Sequence, residues 1–323
     1  MEKITKRILI AGCICSIAGA CFCGLGYAAG GWDYAKEADL NKLDGAAKRS
    51  DTQGMKEDCI LLDEVSAVDA ELGDYNFEIR KSEDENYYLS YCLQEEKGEL
   101  PLLYEVEQGN LKLRKKNYFY IMQISIPWFE TEIKEEKVIL YIPENAVLKE
   151  CRVSAADNDL TFDNLECEEV EIKQKYGVLE INDCVFRQGT VSSKDGGVDA
   201  ERFCFQKVDF ELHDGDLELH DGILDDVILK FSDSDLEAEE LELKNEIAID
   251  GHYADLSLKL KKGQEENLSL ILDTKDGSIE VAPEYYGASS VTEDGDKEHF
   301  EYNTREAAGT LKAEIRDGGI TIS

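Results

Sequence analysis

Apolar residues recur along this chain on a fixed period. The apolar residue that follows each turn is Leu160, Leu179, Val198, Leu217, Leu236, Leu256, Ile279 and Ile320. The first four steps are 19 residues each, and the next three are 20, 23 and 41. Seven residues before each lies a second column: Val153, Ile172, Val191, Phe210, Leu229, Ile249, Leu272 and Ala313. Two residues after each lies a third: Phe162, Ile181, Ala200, Leu219, Ala238, Leu258, Val281 and Ile322. Every position of the three columns is apolar although hydrophobic residues make up only 42% of the chain, so chance does not account for the pattern.

Alternation with period two marks strands. Between the second and first columns lie "DND", "YGV", "DGG", "DGD", "DSD", "HYAD", "DGS" and "DGG", residues suited to positive φ or Asx-type turns. One such unit cannot bury its apolar side, but stacked units share a continuous core. The pattern therefore predicts an all-β fold, a mainly parallel β-solenoid with ~19-residue coils. At ~4.8 Å per coil, the regular coils over about 148–261 rise roughly 29 Å. The intervening Glu169, Glu171, Asp209, Glu211, Glu218 and Glu237 are expected to face water.

The template also fits Ala70–Phe77–Ile79 and Tyr104–Leu111–Leu113, with irregular spacing. That predicts longer hairpins or a cap over 59–147. The part at 262–323 is looser. Val281 to Thr310 falls within the 41-residue step, as a long loop or an added hairpin. The chain then stops on a strand, and an exposed solenoid edge would template aggregation. The polar insert is expected to help cover it.

The N-terminus has a different pattern. "MEKITKR" (residues 1–7) is basic, and Ile8 to Trp32 carries no charge. That is about the ~20 residues a helix needs to cross a bilayer. Basic residues before it and Asp33, Glu37 and Asp39 after it place a short tail in the cytoplasm and the bulk of the chain outside. The expected organisation is a cytoplasmic tail (1–7), a transmembrane signal anchor (8–32), a polar stalk (33–58) and an extracytoplasmic solenoid (59–323). A cleaved signal peptide ending at "YAAGG" and a lipoprotein modified at Cys21 remain alternatives. All three leave most of the chain outside the cytoplasm.

Charge then narrows the partners. Acidic residues outnumber basic ones 71 to 35, a formal charge of −36. Phosphate backbones repel such a surface, so nucleic acid is not an expected partner. Of the ten cysteines, Cys13, Cys15, Cys21 and Cys23 lie in the membrane segment. Cys59, Cys92, Cys151, Cys167, Cys184 and Cys204 form no C-x-x-C pair and read as small buried hydrophobes.

A short basic tail, one span ending in "GLGYAAGG", the segment "YIPENAVLKECRVSAADNDLTFDNLECEEVEIKQKYGVLEIND" and recurrent Asp-Gly turns occur together here. With "SAVDAELGDYNFEI" and "YEVEQGNLKL" upstream, the chain resembles the bacterial "putative adhesin" family of membrane-anchored β-strand-repeat proteins. The resemblance covers nearly the whole chain and implies a strand-repeat fold and an adhesive role. It carries over no catalytic residue.

The densest cluster of chemistry-bearing residues is "HDGDLELHDGIL", His213 to Leu224. A calcium loop of EF-hand type fails because Leu217 and Leu219 stand where ligands are needed. A shared metal fails because Glu211 and His213 point out of one strand while Glu218 and His220 point out of the next, beyond a corner at Asp214-Gly215-Asp216. His220-Asp221-Gly222 reads as the next corner of the same coil. Asp225-Asp226 and Gly251-His252-Tyr253 invite a carbohydrate-active reading, but basic residues are scarce around them. No G-x-S-x-G, H-E-x-x-H, P-loop or dinucleotide fingerprint occurs. Leu111 to Lys116, "LKLRKK", is expected to balance nearby carboxylates. The aromatic run Asn117 to Glu130 reads as a buried strand pair, or as an exposed ledge for a partner.

The sequence thus points to a non-enzymatic, membrane-anchored surface protein, an adhesin or envelope scaffold. Neither catalytic, cofactor-binding nor metal-ligating residues are assigned. The expected contacts are the membrane, through the N-terminal helix, and a protein or cell-wall polymer. An accessory regulatory role in envelope stress or signalling is the alternative, with a carbohydrate-active β-helix enzyme behind it.

Overall fold

The computed structural model describes residues 55–95, 100–116, 135–304 and 307–323. The predicted tail, membrane helix, most of the stalk and the aromatic run at 117–130 lie outside the described residues. Among the described residues, no helix is long and apolar enough to cross a membrane.

The described chain is built from strands. The first nine are β1 (Met55–Leu62), β2 (Ala67–Gly73), β3 (Asn76–Lys81), β4 (Tyr87–Gln94), β5 (Leu102–Glu107), β6 (Asn110–Lys115), β7 (Lys137–Ile142), β8 (Val147–Asp157) and β9 (Leu160–Asp163). The regular part continues with β10 (Glu166–Tyr176), β11 (Leu179–Asn182), β12 (Val185–Phe186), β13 (Gly189–Lys194), β14 (Val198–Glu201), β15 (Cys204–Gln206), β16 (Val208–His213), β17 (Leu217–His220), β18 (Ile223–Ser232) and β19 (Leu236–His252). The last are β20 (Leu256–Leu260), β21 (Leu268–Lys275), β22 (Ile279–Val281), β23 (Ser289–Asp294), β24 (Lys297–Tyr302), β25 (Gly309–Arg316) and β26 (Ile320–Ile322). Short 3-10 turns cover Gln264–Glu266 and Pro283–Ala288.

The strands form two sheets that enclose one core. In sheet I, Leu160, Leu179, Val198, Leu217, Leu236 and Leu256 are parallel register partners on successive strands. In sheet II, Val153, Ile172, Val191, Phe210, Leu229 and Ile249 are aligned in the same way. The predicted columns are therefore the inward ladders of the stack. All their residues are buried, at 8% exposure or less. Phe186 and Phe205 stack at 5.5 Å, and Phe205 meets Phe203 at 4.3 Å and Phe210 at 5.3 Å. Aromatic contacts of this kind add roughly 0.5–1.5 kcal/mol each beyond burial.

The regular coils turn three corners, and from Gly177 to Tyr253 each corner carries a residue at positive φ. The first corner stacks Asp195, Asp214, Asp233 and Tyr253. The second stacks Asn164, Asp183, Arg202, Asp221 and Glu240, and the third Lys207, Asp226 and Asn245, with Gly189 one residue further along in the coil before them. Asn and Asp tolerate this left-handed conformation better than most residues. That is why the periodic apolar pattern is punctuated by Asx residues.

Both ends depart from chain order. The columns as read along the sequence place Ile279 after Leu256 and Ile320 last. In the structure, Ile320 pairs with Leu256 on one side and Ile279 on the other. β25 likewise lies between β19 and β21. The final strands are thus intercalated one coil in from the edge, not exposed at it. The polar insert does form a hairpin: β24 pairs antiparallel with β21, and β23 with β24. At the N-terminal end, β2 lies between β6 and β8, and β3 between β7 and β9. Leu113 is the register partner of Ala70, and Tyr104 faces Leu113 across an antiparallel hairpin. Tyr104–Leu111–Leu113 is therefore not a copy of the template in the frame read from sequence. Val138 and Leu140 take the sheet I positions of that coil.

Candidate binding faces

The corners account for most of the acidic residues that looked like ligands. Asp216 Oδ1 accepts the Asp235 amide at 3.0 Å, Asp235 Oδ1 that of Asp255 at 2.8 Å, and Asp255 Oδ1 that of Gly319 at 2.7 Å. Asp159 Oδ1 likewise accepts the Val178 amide at 2.9 Å. Each carboxylate satisfies a backbone donor of the adjoining coil, and such charge-assisted bonds are among the stronger ones. At the second corner, Arg202 donates to both oxygens of Asp183, at 2.8 and 2.9 Å. This fork holds the Asp183 carboxyl below its ordinary value.

His213 ends β16 in sheet II and lies 3.4 Å from Glu211. His220 ends β17 in sheet I and lies 4.0 Å from Glu218. The two imidazoles thus belong to different faces. Both glycines of the repeated triplet sit against the preceding coil. A Cβ on Gly215 would lie 2.3 Å from the Gly196 carbonyl oxygen, and one on Gly222 would lie 2.2 Å from the Phe203 ring. Asp221 occupies the second corner at positive φ, as its spacing from Asp214 predicts.

Asp225 and Asp226 are also engaged locally. Asp225 accepts from the Asn245 side chain, and Asp226 Oδ1 from the Glu246 amide at 3.3 Å. His252 packs edge-on against Tyr253 at 4.1 Å and lies 3.8 Å from Asp317. Among the described residues, no group of three or more His, Cys, Asp or Glu side chains is arranged to hold a metal ion. The basic segment Leu111 to Lys116 does meet carboxylates: Arg114 pairs with Asp69 at 2.6 Å and Lys112 with Glu107 at 3.1 Å.

The six described cysteines are free. Cys151, Cys167 and Cys184 are buried, but Cys59 is exposed and Cys92 and Cys204 are half-buried. Loss of hydration pushes the Cys167 and Cys184 thiols up to about 12. They stay protonated and unreactive inside the core.

The two outer faces differ in charge balance. On sheet I, Glu180, Asp199, Glu218 and Glu237 are register partners on four successive strands. Among the described residues, the one close contact of this row with a basic side chain is Glu218 with His220, at 4.0 Å. On sheet II, carboxylates are interleaved with cations. Glu171 meets Lys173 at 2.5 Å and Arg152 at 3.5 Å. Lys312 meets Glu246 at 2.6 Å, and Arg316 meets Glu314 at 2.8 Å.

One concavity has no counterpart in the sequence pattern. The β23–β24 hairpin and the ends of β21 and β25 border an open cleft of about 620 Å³, lined by Asp273, Lys275, Lys297, Glu298, His299 and Arg316 among others. His299 Nδ1 lies 2.8 Å from Asp273, and Glu298 accepts the Ile279 amide at 2.9 Å. The antiparallel pairing of β24 on one edge of β21 and the parallel pairing of β25 on the other bring these residues together, so the repeat period carries no sign of them.

The profile of the family described as Toastrack DUF4097 matches residues 65–323, well over half of the chain. No curated protein sequence matches it. Among solved structures, a "putative cell adhesion protein" of Clostridium sporogenes is similar at 12% identity and TM-score 0.30, over 83% of this chain and 98% of that one. A "putative adhesin" of Bacteroides fragilis is similar at 10% identity and TM-score 0.39, over 83% and 97%. A "putative lipid binding protein" of Parabacteroides distasonis is similar at 14% identity and TM-score 0.29, over 84% and 97%.

Proposed function

The chain belongs to the Toastrack DUF4097 family, and from that premise we propose that it is a non-enzymatic, membrane-anchored surface protein. In this reading Ile8 to Trp32 spans the membrane, and the stack stands outside the cytoplasm as an adhesive or scaffolding element. Its occupant is a partner protein or a wall polymer lying along a flat face.

The observation that carries this reading is the outer face of sheet I. Glu180, Asp199, Glu218 and Glu237 stand in register there, almost without cations. Like charges directly opposite one another destabilise a sheet. By contrast, the Asp carboxylates at the corners are occupied with backbone amides of the next coil. The face therefore offers charge that the fold does not use. It favours partners with cationic groups and repels polyanions.

The test is binding by the full-length chain in lipid vesicles to purified wall material and to surface-protein extracts. Saturable binding that weakens at high salt and is lost on combined Glu180→Lys, Asp199→Lys, Glu218→Lys and Glu237→Lys substitution supports the reading. Turnover of a glycan by the same preparation overturns its non-enzymatic part.

A further inference from the structure

The outer face of sheet II carries an ordered pattern near the β23–β24 hairpin. The outward residues are Ala248, Asp250 and His252 along β19, Lys312, Glu314 and Arg316 along β25, and Ile271, Asp273 and Lys275 along β21. Ladder register sets them side by side in three rows. One row is Ala248, Lys312 and Ile271, extended by Ile228 on β18. The next is Asp250, Glu314 and Asp273. The third is His252, Arg316 and Lys275, extended by Lys297 on β24. Lys312 is the exception in the first row, and its ammonium group is held by Glu246 at 2.6 Å, on the side away from the acidic row. Strands from separate parts of the chain thus share one order: apolar, acidic, basic. That order stops at β18, where Lys230 is the register partner of Asp250.

The three rows line one continuous groove. A hollow of about 280 Å³ over Ile228, Ala248 and Ile271 meets the cleft of about 620 Å³ beside His299, and Asp273 and Glu314 line both. Ile228 is 39% exposed there although its side chain is large and apolar. Like charges side by side on neighbouring strands destabilise a sheet, so the fold gains nothing from sorting its charges by row. Arg316 meets Glu314 at 2.8 Å and Lys275 meets Asp276 at 3.6 Å. Exposed pairs of this kind contribute little and exchange readily for charges on a ligand.

We propose that this groove docks an extended peptide segment of a partner protein, one whose alternate residues are apolar, cationic and anionic. Neighbouring outward rows lie about 6.6 Å apart, two residues along each strand. An extended peptide lying along the strands repeats its downward side chains at the same interval. Its apolar residue rests over Ile228, Ala248 and Ile271, and its cation over Asp250, Glu314 and Asp273. Its carboxylate then meets Arg316, Lys275 and Lys297. A peptide with the two charges exchanged meets like charge at both places, so the rows select by repulsion as well as by attraction. A polyanion would face the acidic row and a polycation the basic one, which disfavours both. The groove lies on the other sheet from the Glu180 to Glu237 row and does not depend on it.

The test measures binding of the full-length chain in lipid vesicles to immobilised peptides with blocked ends. Lysine-centred peptides are Gly-Ile-Thr-Lys-Thr-Glu-Gly and its reverse, and glutamate-centred peptides are Gly-Ile-Thr-Glu-Thr-Lys-Gly and its reverse. All four have the same composition. The expected result is that a lysine-centred peptide binds at least tenfold more tightly than either glutamate-centred one. A second chain carries Asp273→Lys, Lys275→Asp, Glu314→Arg and Arg316→Glu, which exchanges the charged rows on β21 and β25 at constant net charge and leaves every buried residue in place. Its preference should reverse, with its thermal unfolding compared with that of the native chain. Equal binding of the two kinds of peptide to the native chain overturns the proposal, as does binding of neither kind. An unchanged preference in the exchanged chain overturns it too.

Discussion

Between Leu160 and Leu256, each coil packs on the coil just before it in the chain, whereas the coil next to each end comes from elsewhere. β2 and β3 enter between coils that follow them in sequence, and β25 and β26 enter between coils that precede them. All of them follow the same apolar template. The difference lies in what the edges require. A parallel stack built strictly in chain order would leave its terminal strands as open templates for pairing. Placing the terminal segments one coil inside holds them by ladders on both sides. The outermost positions then pass to antiparallel strands at one end, β1 and β4 in sheet I and β5 in sheet II, and at the other end to β23 and β24 in sheet II, while β22 stays as the parallel edge of sheet I.

The contrast is open to breaking, and the largest effect belongs to the centre. Phe205→Ala removes a buried ring that touches Phe186, Phe203 and Phe210. It should cost about 3–5 kcal/mol, read as a fall in the urea midpoint by every probe at once. An end coil should respond locally. Ile315→Ala should cost about 2–5 kcal/mol, and amide exchange should quicken across Leu268–Tyr302 while Leu160–Glu239 keeps its protection. Equal acceleration in both regions would mean that the ends and the centre open as one unit.

Thiol chemistry sharpens the same comparison more gently. Cys59, on the edge strand β1, should react with a thiol reagent in the folded protein. Cys167 and Cys184 should react only on unfolding. Their folded values are raised, so their contribution to stability is complete below the unfolded value of about 8.5. It is lost as pH rises from there towards 12, because the unfolded thiols ionise first. The smallest effect is on the outer face of sheet I. Glu218→Gln removes one charge from the carboxylate row and should stabilise by about 0.2–1 kcal/mol. That gain should shrink in high salt, and a loss of stability at low salt would show that the row is not under repulsion.

Much of this molecule was legible in the linear pattern, and the reason is specific. In the central part, Leu179 pairs with Leu160 behind it and with Val198 ahead, each 19 residues away. Sequence separation and spatial neighbourhood coincide there, so a column read along the chain is a column in space. The corners were legible too, because left-handed residues favour Asx and Gly, as at Asp214 and Asp221. The same frame failed at Leu113, which serves sheet II opposite Ala70 and not sheet I. Nothing local distinguishes an inward leucine of one sheet from an inward leucine of the other.

In the central coils, then, the sequence by itself determined the strands, the inward faces, the period and the corners, since each depends there on neighbours within one or two coils. It also made the net charge, but not where that charge stays unpaired. Tertiary structure decided the order of the end coils, the cleft beside His299 and the contrast between the two outer faces. Those depend on which strands stand side by side, and strands with the same apolar template are interchangeable until both of their edges have found partners.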